Sequence, residues 1–189
     1  QVYKRYGESA SDLLYDDPYL LMDEEFEAPF AAVDQFAIDL GVAGEDPRRI
    51  EAGILYELRY NLGAGHSFLP QDKLLDATAQ LLSVDASAVE AGMERLLEAE
   101  RLVKDKLAEI SVIYLPELFE AETYIKERLL AAAQLKFPGE RSLERMLSLA
   151  QKESGIAYSA QQEQAIRQAA DTGILLLTGG PGTGKTTIL

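Results

Sequence analysis

Cysteine is absent from the 189 residues, which rules out disulfides and cysteine-ligated metal sites and is compatible with a reducing compartment. Only one histidine is present, His66. It leaves little for metal or general-base chemistry, and in Gly65-His66-Ser67-Phe68-Leu69-Pro70 it is expected to support a loop. No apolar run approaches the ~18 residues of a membrane span, and no signal-peptide pattern opens the chain. No membrane partner is expected, and the expected location is the cytoplasm.

Basic residues are also scarce: 18 Lys and Arg face 32 Asp and Glu, a net charge of −14. A domain that grips nucleic acid is usually basic. Residues 1–50 are the most one-sided part, with Lys4, Arg5, Arg48 and Arg49 against twelve carboxylates. The cluster Asp23-Glu24-Glu25-Phe26-Glu27 repels phosphate or sits as a solvated acidic turn. Strong phosphate binding by this segment alone is not expected. With 47% apolar and 26% charged residues, the composition is that of a globular protein with one or two cores.

Chemistry is concentrated at the end. Gly179-Gly180-Pro181-Gly182-Thr183-Gly184-Lys185-Thr186 satisfies GxxxxGK[ST], the nucleotide-binding P-loop. It follows the apolar run Ile174–Leu177, read as a strand, and is expected to open a helix at Lys185, the strand–loop–helix context such a loop requires. Glycines let the backbone turn through positive φ and approach phosphates without a Cβ. Gly180, Pro181, Gly182, Thr183, Gly184 and Thr187 would cradle the phosphates of ATP. Lys185 would place a charge on the β- and γ-phosphates as a catalytic group. Thr186 would offer its hydroxyl to Mg²⁺ and share the catalytic work. A P-loop domain needs a parallel sheet covered by helices. The expectation is therefore the front part of a longer protein, an ATPase domain unable to turn over ATP alone. The absence of an initiator Met at Gln1 points the same way.

Upstream, short helices dominate the pattern. Ser9–Tyr15 and Pro18–Met22 read as brief helical pieces. A helix from Phe30 carries Phe30, Val33, Phe36, Ala37 and Leu40 on one face and stops at Gly41. Asp46-Pro47 supplies an N-cap and a first-turn proline for a helix to about Asn61, with Ile50, Ile54, Leu55 and Leu58 inward. Pro70–Leu82 and a helix capped by Asp85 follow, with stripes Leu74, Leu75, Thr78, Leu81, Leu82 and Val89, Met93, Leu96, Leu97. Leu102-Val103 and Ile110–Leu115 flank the polar stretch Lys104–Glu109 and predict a hairpin around a charged turn. Helices followed by a hairpin suggest a winged-helix-like arrangement. Pro116 starts a long helix to about Leu135, with Leu118, Ile125, Leu129 and Ala132 or Ala133 inward, closed by Phe137-Pro138-Gly139. The expected organisation is residues 1–45, 46–135, a linker 136–157 with a short helix around Leu143–Leu149, and the motor start at 158–189. Overall the class is mainly α, followed by the start of a P-loop α/β domain. In Tyr158-Ser159-Ala160-Gln161-Gln162, Ser159 caps a helix. Gln162 could offer an acceptor and a donor to an adenine edge, or be a surface glutamine.

These pieces resemble the RecD-like 5′→3′ DNA helicases of superfamily 1, in the subfamily with a long N-terminal helix-hairpin-helix region. The resemblance is carried by Tyr6-Gly7 through Asp17-Pro18-Tyr19-Leu20-Leu21, and by Phe30 to Ala37 with Leu40-Gly41-Val42. It continues through Asp46 to Ile54 and Gly65 to Pro70, then Gln162-x-x-Ala165-Ile166 and Thr178 to Thr187. It implies a motor using ATP and Mg²⁺ on single-stranded or forked DNA in repair or recombination, with Gln162 as the adenine motif. Family hairpins that touch DNA usually carry Gly-x-Gly, whose N–H groups nest a phosphate. Here Phe26-Glu27-Ala28-Pro29 stands instead, with a proline that lacks the donor and a repelling Glu27. Two other readings stay open: another P-loop ATPase of clamp-loader type, and a non-enzymatic front module in which the acidic surface docks a protein partner.

Overall fold

The computed structural model describes every residue except Gln1, Glu24, Glu25, Glu27, residues 136–141 and Leu189. Its contacts divide the chain into two compact units, Gln1–Ala121 and Glu122–Leu189. Among the described residues no helix is long and apolar enough to cross a membrane.

The first unit begins with α1 (Val2–Tyr6) and α2 (Ala10–Asp16), joined by a 3-10 turn over Gly7–Ser9. A second 3-10 segment, Pro18–Met22, is started by Asp17, whose carboxylate accepts the Tyr19 N–H at 3.0 Å. Helix α3 (Phe30–Asp39) returns from it. The turn between them keeps its own backbone busy: Phe26 N–H bonds to the Asp23 carbonyl and Ala28 N–H to that of Leu21. Pro29, at the helix start, has no N–H to give. The described part of this hairpin therefore offers no nest for phosphate. The proposed repulsion by Glu24, Glu25 and Glu27 lies outside the described residues.

Helix α4 (Pro47–Gly63) starts where the sequence places it, with the Asp46 carboxylate accepting the Arg48 N–H at 2.9 Å. Hydrogen bonds from Arg48 hold the Asp46 carboxyl below the usual carboxylate range. Ile50, Ile54, Leu55 and Leu58 are all buried. They meet α5 (Gln71–Leu82) through Leu74 and Leu82, and α6 (Ala86–Glu98) through Val89, Met93 and Leu96. The α4–α6 approach is close enough that a Cβ on Gly92 would sit 2.5 Å from Ile50 Cγ2. Phe36 and Leu81, expected inside, are more than a third exposed at the edges of their stripes.

Three short strands complete the unit: β1 (Phe68–Pro70), β2 (Val103–Leu107) and β3 (Ile110–Tyr114). They form an antiparallel sheet in the order β1-β3-β2. Helix, strand, two helices and a hairpin, with the first strand beside the last, make a winged helix. Two expectations change here. The segment after His66 is a strand as well as a loop, Phe68 pairing with Tyr114. The charged stretch 104–109 is mostly strand, because Lys104, Asp105 and Lys106 face water while their backbones pair with β3. The turn is only Ala108-Glu109, at φ +45° and +71°.

Helix α7 runs Pro116–Gln134. Leu118 packs against the core, but Ile125 and Leu129 are 55% and 47% exposed. The expected inward stripe thus holds at Leu118 and in part at half-buried Ala132, but not at Ile125 and Leu129. The closing Phe137-Pro138-Gly139 lies outside the described residues. Beyond it, the short helix expected near Leu143–Leu149 extends to Ser154 as α8 (Leu143–Ser154), and α9 spans Ala160–Asp171. Arg167 of α9 pairs with Glu144 of α8, and Gln151 Nε2 donates to Glu163 at 3.2 Å.

Candidate nucleotide site

Ser159 opens α9 with a reciprocal cap. Its hydroxyl accepts the Gln162 N–H at 3.3 Å, while Gln162 Oε1 accepts the Ser159 N–H at 2.8 Å. Two donors that a helix start leaves orphaned are thereby satisfied. This positions the Gln162 side chain at the start of α9, where its Nε2 donates to the Gly184 carbonyl at 3.4 Å.

The loop itself turns at Gly182 and Gly184, with φ of +75° and +76°. Left-handed residues in a turn bring successive N–H groups into a concave array suited to an anion. Thr183 Oγ1 donates to the Gly180 carbonyl at 2.9 Å. Lys185 bends back over the loop, its Nζ donating to the carbonyls of Gly179 at 2.6 Å and Gly180 at 2.7 Å. The ammonium is therefore held within the glycine loop. A cavity of about 170 Å³ adjoins it, lined by residues that include Gln162, Gly179, Thr183, Gly184 and Lys185.

Of the residues singled out in the sequence, those five share the cavity, and Gly180 contributes its carbonyl to Lys185 and Thr183. Pro181, Gly182, Thr186 and Thr187 are exposed and do not line the cavity. Ser159, Gln161, Ala165, Leu177 and Ile188 also line the space. Their signal was available in part, since Ser-x-x-Gln before a helix announces a capping box. Two local expectations are corrected. Ile174–Leu177 is not a strand; residues 174–180 carry no regular structure and Leu176 is 86% exposed. A parallel strand exists only within a ladder, and no described segment of this unit runs beside it as one. The helix expected at Lys185 is a 3-10 turn over Thr186–Ile188.

The donor set fits a nucleotide triphosphate. It combines positive-φ glycines, one lysine and a following threonine hydroxyl, without a competing cluster of metal-ligating side chains among the described residues. Comparison with known proteins agrees. Residues 1–68 match the family described as the HHH domain of the ATP-dependent RecD2 DNA helicase, and residues 162–189 match an AAA domain family. The ATP-dependent RecD2 DNA helicase of Deinococcus radiodurans is 30% identical over 197 aligned positions, taking in 97% of this chain. Along nearly its whole length the chain is similar to a RecD-like helicase.

It spans 27% of that relative's length. The RecD-like assignment accounts for both ends of the chain at once: a helix-hairpin-helix start at 1–68 and the first nucleotide-binding elements at 162–189. Neither family match extends over α5, α6, β2 and β3, the part of the chain expected from its sequence pattern to be winged-helix-like.

Proposed function

We propose that this chain is the front region of an ATP-dependent DNA helicase that couples ATP hydrolysis to strand separation on single-stranded or forked DNA in repair or recombination. The observation that carries the reading is Lys185, whose ammonium is held among the loop carbonyls of Gly179 and Gly180. A phosphate chain brought there would exchange with those weak neutral partners for a charge-assisted contact. The N–H groups of Gly180 and of residues 182–185 would take the remaining oxygens, and Thr186 would hold Mg²⁺. Bound Mg²⁺ supplies neutralisation of the charge that develops between the β- and γ-phosphates. Gln162 would read the adenine edge. We place the protein in the cytoplasm.

The test is DNA-stimulated ATP turnover by the full-length protein. Lys185→Ala should abolish it, since the lysine contact strengthens as charge develops during phosphoryl transfer. Wild-type turnover in that variant would sink the assignment.

A second role belongs to the first unit. In a winged helix the second helix of the pair before the hairpin usually enters a DNA groove. Here that helix, α6, exposes Glu90, Glu94 and Glu98 at successive four-residue steps. Phosphates are repelled by such a face. The acidic surface suits contact with a protein partner better than contact with DNA, leaving DNA to the motor.

A further inference from the structure

Gln162 has more to do than the adenine role explains. A glutamine amide offers one oxygen and two N–H donors. Its oxygen accepts the Ser159 N–H at 2.8 Å, and its nitrogen reaches the Gly184 carbonyl at 3.4 Å. That same carbonyl accepts the Thr187 N–H at 3.2 Å, the bond that begins the turn after the loop. Gly184 sits at φ +76°, and a Cβ there would press directly on Gln162 Nε2. The amide therefore touches the loop at the one residue where the glycine turn gives way to Thr186–Ile188.

We propose that Gln162 is a positioning residue for the phosphate loop, holding Gly184 in its left-handed turn whatever base the nucleotide carries. The proposal rests on the nucleotide reading of the loop and deepens it. One lone pair of the oxygen and one N–H are engaged on Ser159 and Gly184, and the other lone pair and N–H are left to face an adenine edge. Adenine recognition and loop setting thus draw on one side chain. Adenine can pair with the second N–H and the second lone pair, so the Gly184 bond stays in place with or without a base. Loss of the side chain is felt by every polyphosphate ligand and not by adenine nucleotides alone.

Tripolyphosphate separates the two roles, because it has the phosphate chain and no base. The measurement is displacement of a fluorescent ATP analogue from the full-length protein by magnesium tripolyphosphate. It is made on the wild type, Gln162→Ala and Gln162→Glu. Glutamate can still accept the Ser159 N–H and keep the cap, but it cannot donate to Gly184. Helix content by circular dichroism should be unchanged in Gln162→Glu. We expect tripolyphosphate affinity to fall roughly two- to tenfold in both variants, the range of one lost hydrogen bond. Unchanged tripolyphosphate affinity beside weakened ATP would overturn the proposal and leave Gln162 a base reader. A loss confined to Gln162→Glu would also overturn it, since charge repulsion would then explain the effect. Lys185→Ala is measured in parallel. If it binds ATP and tripolyphosphate as tightly as the wild type, the nucleotide reading itself fails; if it loses both, only the Gln162 outcomes decide.

Discussion

Arg49 on α4 grips Asp34 on α3 at two points, Nε to Oδ1 at 2.8 Å and Nη2 to Oδ2 at 2.9 Å. The arginine is 7% exposed. Its remaining donors reach the carbonyls of Gly44 at 2.8 Å and Leu82 at 3.1 Å. Tyr19 adds its hydroxyl to Asp34 at 2.7 Å. One guanidinium thus joins the helix-hairpin-helix part to the end of α5, and each of its contacts is satisfied within the unit.

Breaking this pair from one side should therefore be costly. Asp34→Asn leaves Arg49 buried with its charge uncompensated, and we expect a loss of about 3–5 kcal/mol. Urea denaturation of the full-length protein, followed on the transition of the first unit, would measure it. A loss below about 1 kcal/mol, the range of an exposed pair, would show the junction to be solvated.

Tyr19 gives the same junction an alkaline signature. Burial pushes its hydroxyl far above the ordinary tyrosine range, and the hydrogen bond to the Asp34 carboxylate pushes it further. A folded-state pKa raised above the unfolded value means that stability is full below about pH 10 and falls as pH rises past it. Tyr19→Phe should flatten this fall while lowering stability at pH 7 by roughly 1.5–3 kcal/mol, the worth of a bond to a charged acceptor. Denaturant midpoints between pH 8 and pH 11 test the sign; equal slopes in wild type and variant would remove Tyr19 from the account.

The acidic face of α6 carries a third expectation. Replacing Glu90, Glu94 and Glu98 together by glutamine removes repulsion without altering the buried side of the helix. DNA affinity of the full-length protein should then rise by roughly three- to tenfold at low salt and by little at high salt. Fluorescence anisotropy with labelled single-stranded and forked DNA would show it. A fall in affinity would mean that these carboxylates serve DNA binding instead of opposing it.

Much of this architecture was legible because its causes are local. Asp46-Pro47 names the start of α4 from two residues, and the stripes Ile50–Leu58 and Val89–Leu96 follow helical spacing. The glycine loop announces its chemistry in eight residues. Strand β1 was hidden because it is three residues ending in Pro70, and only its pairing with Val112–Tyr114, more than forty residues on, makes it a strand. Strand β2 was hidden by its polarity, since a hairpin arm wet on its outer side can be written in lysine and aspartate. The Arg49–Asp34 pair could not be read either: a charge near a helix start suggests solvent, and only the tertiary fold encloses it. Ile174–Leu177 shows the reverse error. Its apolar run is genuine, but an apolar run forms no ladder without a neighbour.

The sheet order β1-β3-β2 leaves two strands at its borders, and a bare border is an invitation to intermolecular pairing. One border is only three residues long and ends on Pro70, which cannot donate. The other presents Lys104, Asp105 and Lys106 to water, and charged side chains along a border strand disfavour pairing with another chain. This small sheet is therefore built to resist growth into fibrils, and the first unit should stay dispersed at concentrations where an uncharged hairpin would begin to stack.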